Sequence, residues 1–199
     1  NTTLQKGKTW IVGAVVGIIA EGQARRSFLA YSERERAVPW RAMPVYISWY
    51  ELNIDRNNDR EYTTNMNVEQ CTDVVAEWKK QFFDKYKTNV KAFVWDDGWD
   101  FYGPWTFNKN FPNGFSEIDS VARLMNTGIG AWLGPVGGYG RSGDYRRAYW
   151  ADRGGMQLSN PEYYKMFLDA CTYMIKNYDF RFFKYDGISA QFSAVGPDP

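Results

Sequence analysis

Two adjacent carboxylates, Asp96 and Asp97, stand at the end of a short apolar run, with Trp95 before them and Gly98-Trp99 after. Neighbouring Asp residues repel and are costly to bury. They belong where solvent or a polar ligand can reach them. Paired carboxylates beside aromatic faces suit a sugar, whose C–H face lies on Trp while its hydroxyls donate to Asp oxygens. Asp-Asp-Gly alone reads first as a solvated acidic turn. A second segment, Phe180-Arg181-Phe182-Phe183-Lys184-Tyr185-Asp186, shifts the balance. As a strand it alternates faces, so Phe180, Phe182, Lys184 and Asp186 point one way, with the charged pair at the mouth. Lys184 near Asp186 would keep the carboxylate ionised. An ionised, positioned Asp can attack an anomeric carbon, as retaining glycosidases require. A structural Lys–Asp pair at a strand end is the competing reading.

Both segments need a scaffold that brings strand ends together. From Met43 the pattern alternates strand and helix. Val45-Tyr46-Ile47-Ser48-Trp49-Tyr50 reads as a strand ending at Glu51, and residues 90–95 as the second. Ile129-Gly130-Ala131-Trp132-Leu133 is the third strand and the Asp186 segment the fourth. Between them Val68, Cys71, Val74, Val75, Trp78, Phe82 and Tyr86 recur at helical spacing, as do Ile118, Val121, Ala122 and Met125. Ser159-Asn160-Pro161-Glu162 starts a third helix, with a polar cap, Pro in the first turn and an early acid. Alternating βα units predict an α/β fold with a parallel sheet. A closed barrel and an open doubly wound sheet both remain, and in either the function sits at the C-terminal strand ends. Those ends carry Glu51, Asp96, Asp97 and Asp186.

Residues 1–40 differ from the rest. Runs at 10–12, 15–20 and 27–31 are strand-like, with Gly22 as a turn, and predict a β-strand segment, the tail of a preceding β domain or a capping hairpin. Residues 41–199 form the α/β domain. The apolar run at 10–20 is too short to span a bilayer and lacks the flanks and cleavage site of a signal peptide. An extracytoplasmic or secreted setting is the expectation, and a start at Asn1 rather than Met fits a processed or trimmed protein.

Composition narrows the chemistry. Among 199 residues, 44% hydrophobic and 18% aromatic, there is no histidine. That removes Ser-His-Asp and Cys-His nucleophile schemes within the chain and the usual zinc sets. Charge is balanced, 24 Lys+Arg against 23 Asp+Glu, with no basic stripe for nucleic acid. Cys71 and Cys171 fall on predicted helices as small core residues. Acid–base chemistry therefore rests on carboxylates. Gly138-Tyr139-Gly140-Arg141-Ser142-Gly143 fits G-x-G-x-x-G after a strand, but no clear helix opens at its last glycine, and the acid about twenty residues on, Glu162, starts a helix instead of ending a strand. The dinucleotide reading is set aside on those grounds. Arg141, Arg146, Arg147 and Arg153 read as a solvated loop before they read as substrate contacts.

Four segments occur in one order: Asp96-Asp97-Gly98-Trp99, Phe111-Pro112-Asn113-Gly114-Phe115, Gly128-Ile129-Gly130-Ala131-Trp132-Leu133-Gly134-Pro135 and Phe183-Lys184-Tyr185-Asp186. Together they resemble the melibiase-type α-galactosidases, glycoside hydrolase families 36 and 27, over about residues 40–190. The resemblance implies a (β/α)8 TIM-type barrel, of which about the first four βα units are present, and a retaining two-carboxylate mechanism without metal or cofactor. It implies Asp186 as nucleophile, Asp96 and Asp97 as holders of sugar O4 and O6, Lys184 as holder of O3 or O4, and Trp99 and Trp132 as walls. The partner would be an α-galactoside or related oligosaccharide. Family 36 commonly has Trp-x-Glu-Pro where this chain has Trp132-Leu133-Gly134-Pro135, and Asn shortly after the nucleophile where this chain has Gly187-Ile188-Ser189. The O2 contacts are therefore left open. The family's general acid lies two strands further along, past Pro199, so the chain alone is expected to be inactive and poorly stable or oligomeric. The alternatives are a related α-glycosidase acting on another sugar, a non-catalytic carbohydrate-binding barrel, and a dinucleotide-binding oxidoreductase.

Overall fold

The computed structural model describes residues 6–9, 13–53 and 59–188, in two compact units, Asn1–Ala42 and Met43–Pro199. The expected strand at 10–12 lies outside the described residues. In the first unit, residues 13–20 form no regular element, and α1 (Ala24–Glu35) takes the place of the strand expected at 27–31. A run of four apolar residues suits either period, and local pairing decides for the helix. The Ser32 hydroxyl donates to Phe28 O at 2.9 Å, and Phe28 and Tyr31 bring their rings within 6.3 Å, one turn apart.

The second unit holds a four-stranded parallel sheet. Its strands are β1 (Val45–Ile47), β2 (Ala92–Trp95), β5 (Gly128–Leu133) and β6 (Phe180–Tyr185), adjacent in that order. A small antiparallel hairpin, β3 (Asp100–Phe101) with β4 (Thr106–Phe107), follows β2. Spatial order equals chain order, so among the described residues the sheet has no point where the order reverses. Dinucleotide sites of doubly wound sheets sit at such a reversal.

Helices follow from the apolar spacing and their caps. In α2 (Val68–Trp78), Cys71, Val74 and Val75 are buried, and Asn67 and Gln70 cap each other's backbone at 2.9 and 3.1 Å. The helix continues through a wide turn at Lys79–Phe83 into α3 (Asp84–Tyr86). Ile118 and Ala122 bury one face of α4 (Ser116–Arg123). Tyr163, Phe167, Cys171 and Met174 bury that of α6 (Pro161–Asn177). No described helix is long and apolar enough to cross a membrane. At the start of α6, Asn160 Oδ1 accepts from Glu162 N at 3.1 Å, and its Nδ2 donates to Arg153 O at 2.7 Å and Gly155 O at 3.0 Å. Asn160→Ala is expected to cost about 1–2 kcal/mol in urea unfolding, and Asn160→Asp, which keeps the cap and loses the two donors, less.

Two strands depart from the predicted pattern. The first ends at Ile47 and turns into a π-type helical turn, Trp49–Asn53. In β6 the register moves from Ile129↔Phe180 to Gly130↔Phe182, leaving Arg181 as an extra residue. The bulge turns Phe180 away from the Phe182–Lys184 face, and its ring packs 4.5 Å from that of Phe183. Phe180 therefore does not share a face with Lys184 and Asp186.

Candidate active site

The ends of β1, β2, β5 and β6 converge on a cavity of about 360 Å³ lined by Trp49, Asp96, Asp97, Trp132, Lys184 and Asp186, with Tyr139 at its edge. Asp186 follows β6 directly, its backbone N–H still bonded to Leu133 O at 3.0 Å. Three donors serve its carboxylate. Trp132 Nε1 lies 3.1 Å from Oδ2, while the Tyr139 hydroxyl at 3.2 Å and the Gly187 N–H at 2.7 Å reach Oδ1. Partial burial alone would raise its pKa. The hydrogen bonds from Trp132, Gly187 and Tyr139, and then the Lys184 charge, outweigh it and hold the carboxyl below its ordinary value. Asp186 is thus ionised through the neutral and mildly acidic range.

Lys184 projects across the β5 end to Asp96, with Nζ 2.7 Å from Oδ2. The Asp96 side chain is 2% exposed and that of Lys184 30%, so Lys184 is the member of the pair that solvent reaches. The turn that carries Asp96 is fixed from below. Ser48 Oγ accepts the Asp96 N–H at 2.9 Å and donates to Asn53 Oδ1 at 2.7 Å, and Asn53 Nδ2 donates to Asp97 O at 2.6 Å. Ser48 and Asn53 are both buried.

Asp97 faces a different partner. Its Oδ1 accepts from Arg146 and its Oδ2 from the Ser142 hydroxyl at 3.2 Å. Arg146 also spans Asp100, with Nε to Oδ2 at 2.9 Å and Nη2 to Oδ1 at 2.5 Å, and donates to Gly137 O at 2.9 Å. Its guanidinium lies 4.8 Å from the Trp105 ring and 5.0 Å from that of Trp132. Burial alone would lower the Arg146 pKa, but the charges of Asp100 and Asp97 more than offset it and the group stays protonated. Burial pushes the Asp100 carboxyl up against the pull of Arg146.

The fold is α-galactosidase-like. The structure resembles the α-galactosidase from Lactobacillus brevis, with a TM-score of 0.54 and 14% identity, covering 78% of this chain. It also resembles the α-galactosidase from Thermus thermophilus, solved in complex with p-nitrophenyl α-D-galactopyranoside, with a TM-score of 0.53 and 19% identity, covering 80% of this chain. The chain spans 22% and 34% of the lengths of those two proteins. No protein-family model matches the sequence, and no curated protein matches it.

Several sequence readings are corrected here. Trp99 is not a cavity wall: it is fully buried, donates from Nε1 to Trp132 O at 3.0 Å and packs on Phe107 and Phe115. Glu51 lies outside the cavity, exposed, and accepts from the Tyr46 hydroxyl at 2.5 Å. Arg146 is wholly buried, not solvated. A helix, α5 (Gly140–Trp150), does open within the G-x-G-x-x-G stretch. The glycines there serve packing. Gly138 has φ +78 and a side chain on it would overlap the Trp132 ring, so the loop can close over the tryptophan that holds Asp186. Ser48, Asn53, Ser142 and Asp100 were not singled out by the sequence. Among the described residues no group of three or more acidic or cysteine side chains is placed to hold a metal ion.

Proposed function

We propose that this chain forms the first half of a (β/α)8 glycosidase barrel of α-galactosidase type, acting on a terminal α-linked sugar by a retaining two-carboxylate mechanism. Asp186 is the nucleophile, Asp96 and Lys184 hold the sugar hydroxyls, and Trp132, 1% exposed and so not the wall the sequence suggested, positions Asp186 through its Nε1 donor. The observation that carries this reading is the arrangement around Asp186. An ionised carboxylate held by three donors, one of them the Trp132 indole N–H, shares one strand-end cavity with the Lys184–Asp96 pair. A nucleophile of this class must be charged, positioned and next to groups that fix the ring. In-order parallel strands, with no switch point among the described residues, support the barrel, and the likeness to the two α-galactosidases supports the sugar class.

Lys184 is expected to contribute a charge-assisted hydrogen bond to the sugar, so Lys184→Ala should weaken galactose binding by about 1.5–3 kcal/mol. Calorimetry on protein shown folded by circular dichroism measures this. Galactose should bind more tightly than glucose, since the axial O4 of galactose points elsewhere than the equatorial O4 of glucose. A second reading has a specific observation behind it. Both Asp97 oxygens already accept hydrogen bonds from Arg146 and Ser142, which leaves fewer acceptors for O4 and O6. Glucose binding as tightly as galactose, or more so, would establish a related α-glycosidase acting on another sugar.

A further inference from the structure

We propose that the cleft between the β3–β4 hairpin and α5 is a second sugar-binding site, distinct from the carboxylate cavity, which takes a pyranose ring of an oligosaccharide against its aromatic walls. The choice of ligand class rests on the carbohydrate reading above; the site itself rests on its own geometry. The cleft measures about 440 Å³, within the usual range of small-ligand sites. Arg60, Tyr62, Phe101, Tyr102, Tyr145 and Tyr149 form most of its lining. These residues come from the segments that follow β1, β2 and β5, the same end of the sheet that carries the carboxylate cavity.

The walls are held in place before any ligand arrives. The Tyr62 and Tyr102 rings lie 4.9 Å apart, and Tyr102 stacks on Tyr145 at 5.7 Å. The Arg60 guanidinium covers Tyr145 at 4.5 Å, and that of Arg153 covers Tyr149 at 4.6 Å. Tyr149 also presses on Gly103, whose φ of +139 excludes other residues and where a side chain would overlap the ring. Trp150 Nε1 ties the end of α5 to the hairpin through Gly103 O at 2.9 Å. Tyr62 itself has φ +57, an unusual conformation for a bulky residue and one that its surroundings must hold. Asn65 Nδ2 fixes the Tyr102 hydroxyl at 2.9 Å. Phe101 and Tyr149 remain 47% and 37% exposed, leaving apolar ring surface in water beside a concave site.

The exposed Phe101 ring, with phenol and guanidinium groups of the cleft beside it, matches a pyranose, which offers a C–H face and a belt of hydroxyls. A purely apolar ligand would leave those polar edges unused. Arg146 connects the two sites. Its guanidinium lies 5.2 Å from the Tyr102 ring of the cleft and 5.0 Å from the Trp132 ring of the carboxylate cavity.

The test is calorimetry of the chain with galactose and with the trisaccharide raffinose, in wild type, Phe101→Ala and Phe101→Trp. Raffinose should bind wild type roughly fivefold or more tighter than galactose, and Phe101→Ala should remove about that factor. The galactose binding that depends on Lys184 should not change in either variant, and Phe101→Trp, which keeps a ring, should retain the raffinose advantage. Equal affinity for the two sugars in wild type, indifference of raffinose to Phe101→Ala, or binding of neither sugar would overturn the cleft. Raffinose binding that is sensitive to Phe101 but not to Lys184→Ala, with no galactose binding, would keep the cleft and overturn the function proposed for the carboxylate cavity.

Discussion

On the proposed function, Asp186→Asn is expected to reduce hydrolysis of an activated aryl α-galactoside on the order of 10⁴-fold or more when assayed in a complete barrel. That corresponds to about 5.5 kcal/mol of transition-state stabilisation. Sugar binding and folding should stay close to wild type. Asparagine keeps the shape and can still accept from Tyr139 and Gly187 through its carbonyl, giving up the bond from Trp132 Nε1, but it has no charge with which to attack. The acid limb of the kcat/KM profile reports the same group. Turnover needs the ionised form, so activity falls as pH drops through the pKa of Asp186. That pKa is held below its ordinary value of 3.8, so the limb should lie below about pH 4. Trp132→Phe removes one of the donors that hold it down and should move the limb upward. The isolated 199-residue chain should show no turnover. Retention also needs an acid about 5–5.5 Å from the nucleophile, and the other strand-end carboxylates described here are engaged. Asp96 is bound to Lys184, Asp97 and Asp100 to Arg146, and Glu51 to Tyr46. Near-wild-type turnover by Asp186→Asn, or turnover by the isolated chain, would show that the nucleophile or the location of the acid is misassigned.

What the sequence made legible was what simple periodicity governs. Apolar runs marked the four parallel strands, and a period of two put Lys184 and Asp186 on one side of the last. A parallel sheet then had to bring that strand end towards Asp96. Legibility failed where periodicity breaks or where burial is not apolar. One extra residue at Arg181 reverses Phe180, and no local signal in Phe-Arg-Phe-Phe announces a bulge. Gly98, with φ +132, ends the alternation after Asp97 and sends Trp99 into the core instead of onto the cavity. Ser48 and Asn53 sit where a strand passes into a π-type turn, so neither face pattern applied to them. The clearest failure is α5. Its buried residues are Ser142, Gly143, Arg146 and Trp150, at helical spacing but with one apolar member. A helix that packs through glycine, serine and an ion-paired arginine has no apolar stripe to read.

That helix carries the largest expected effect on stability. Arg146→Met is expected to destabilise the fold by about 3–5 kcal/mol at neutral pH, a large part of the roughly 5–15 kcal/mol that holds a typical domain together. Methionine fills most of the space and keeps contact with the Tyr102, Trp105 and Trp132 rings, so lost volume is not the main cost. The cost is charge. The side chains of Asp97 and Asp100 are 2% and 0% exposed, and both lose the cation that Arg146 supplies. In the variant the Asp100 carboxyl, which burial already pushes up against the pull of Arg146, should rise further. The sign of the pH dependence follows: stability is fully present below the unfolded carboxylate value near 4 and is lost as pH rises through the raised folded value of Asp100. Arg146→Met should accordingly be more stable at pH 5 than at pH 7.5, as read by urea unfolding. Adding Asp100→Asn removes one stranded charge and should restore about 1 kcal/mol or more at pH 7.5. The same loss removes one partner of Asp97 and the Gly137 contact of the loop over Trp132, so on the proposed function galactose affinity should fall even where the variant remains folded. A variant within about 1 kcal/mol of wild type at both pH values would mean that Arg146 is solvated after all, as the sequence alone suggested, since exposed ion pairs contribute no more than that.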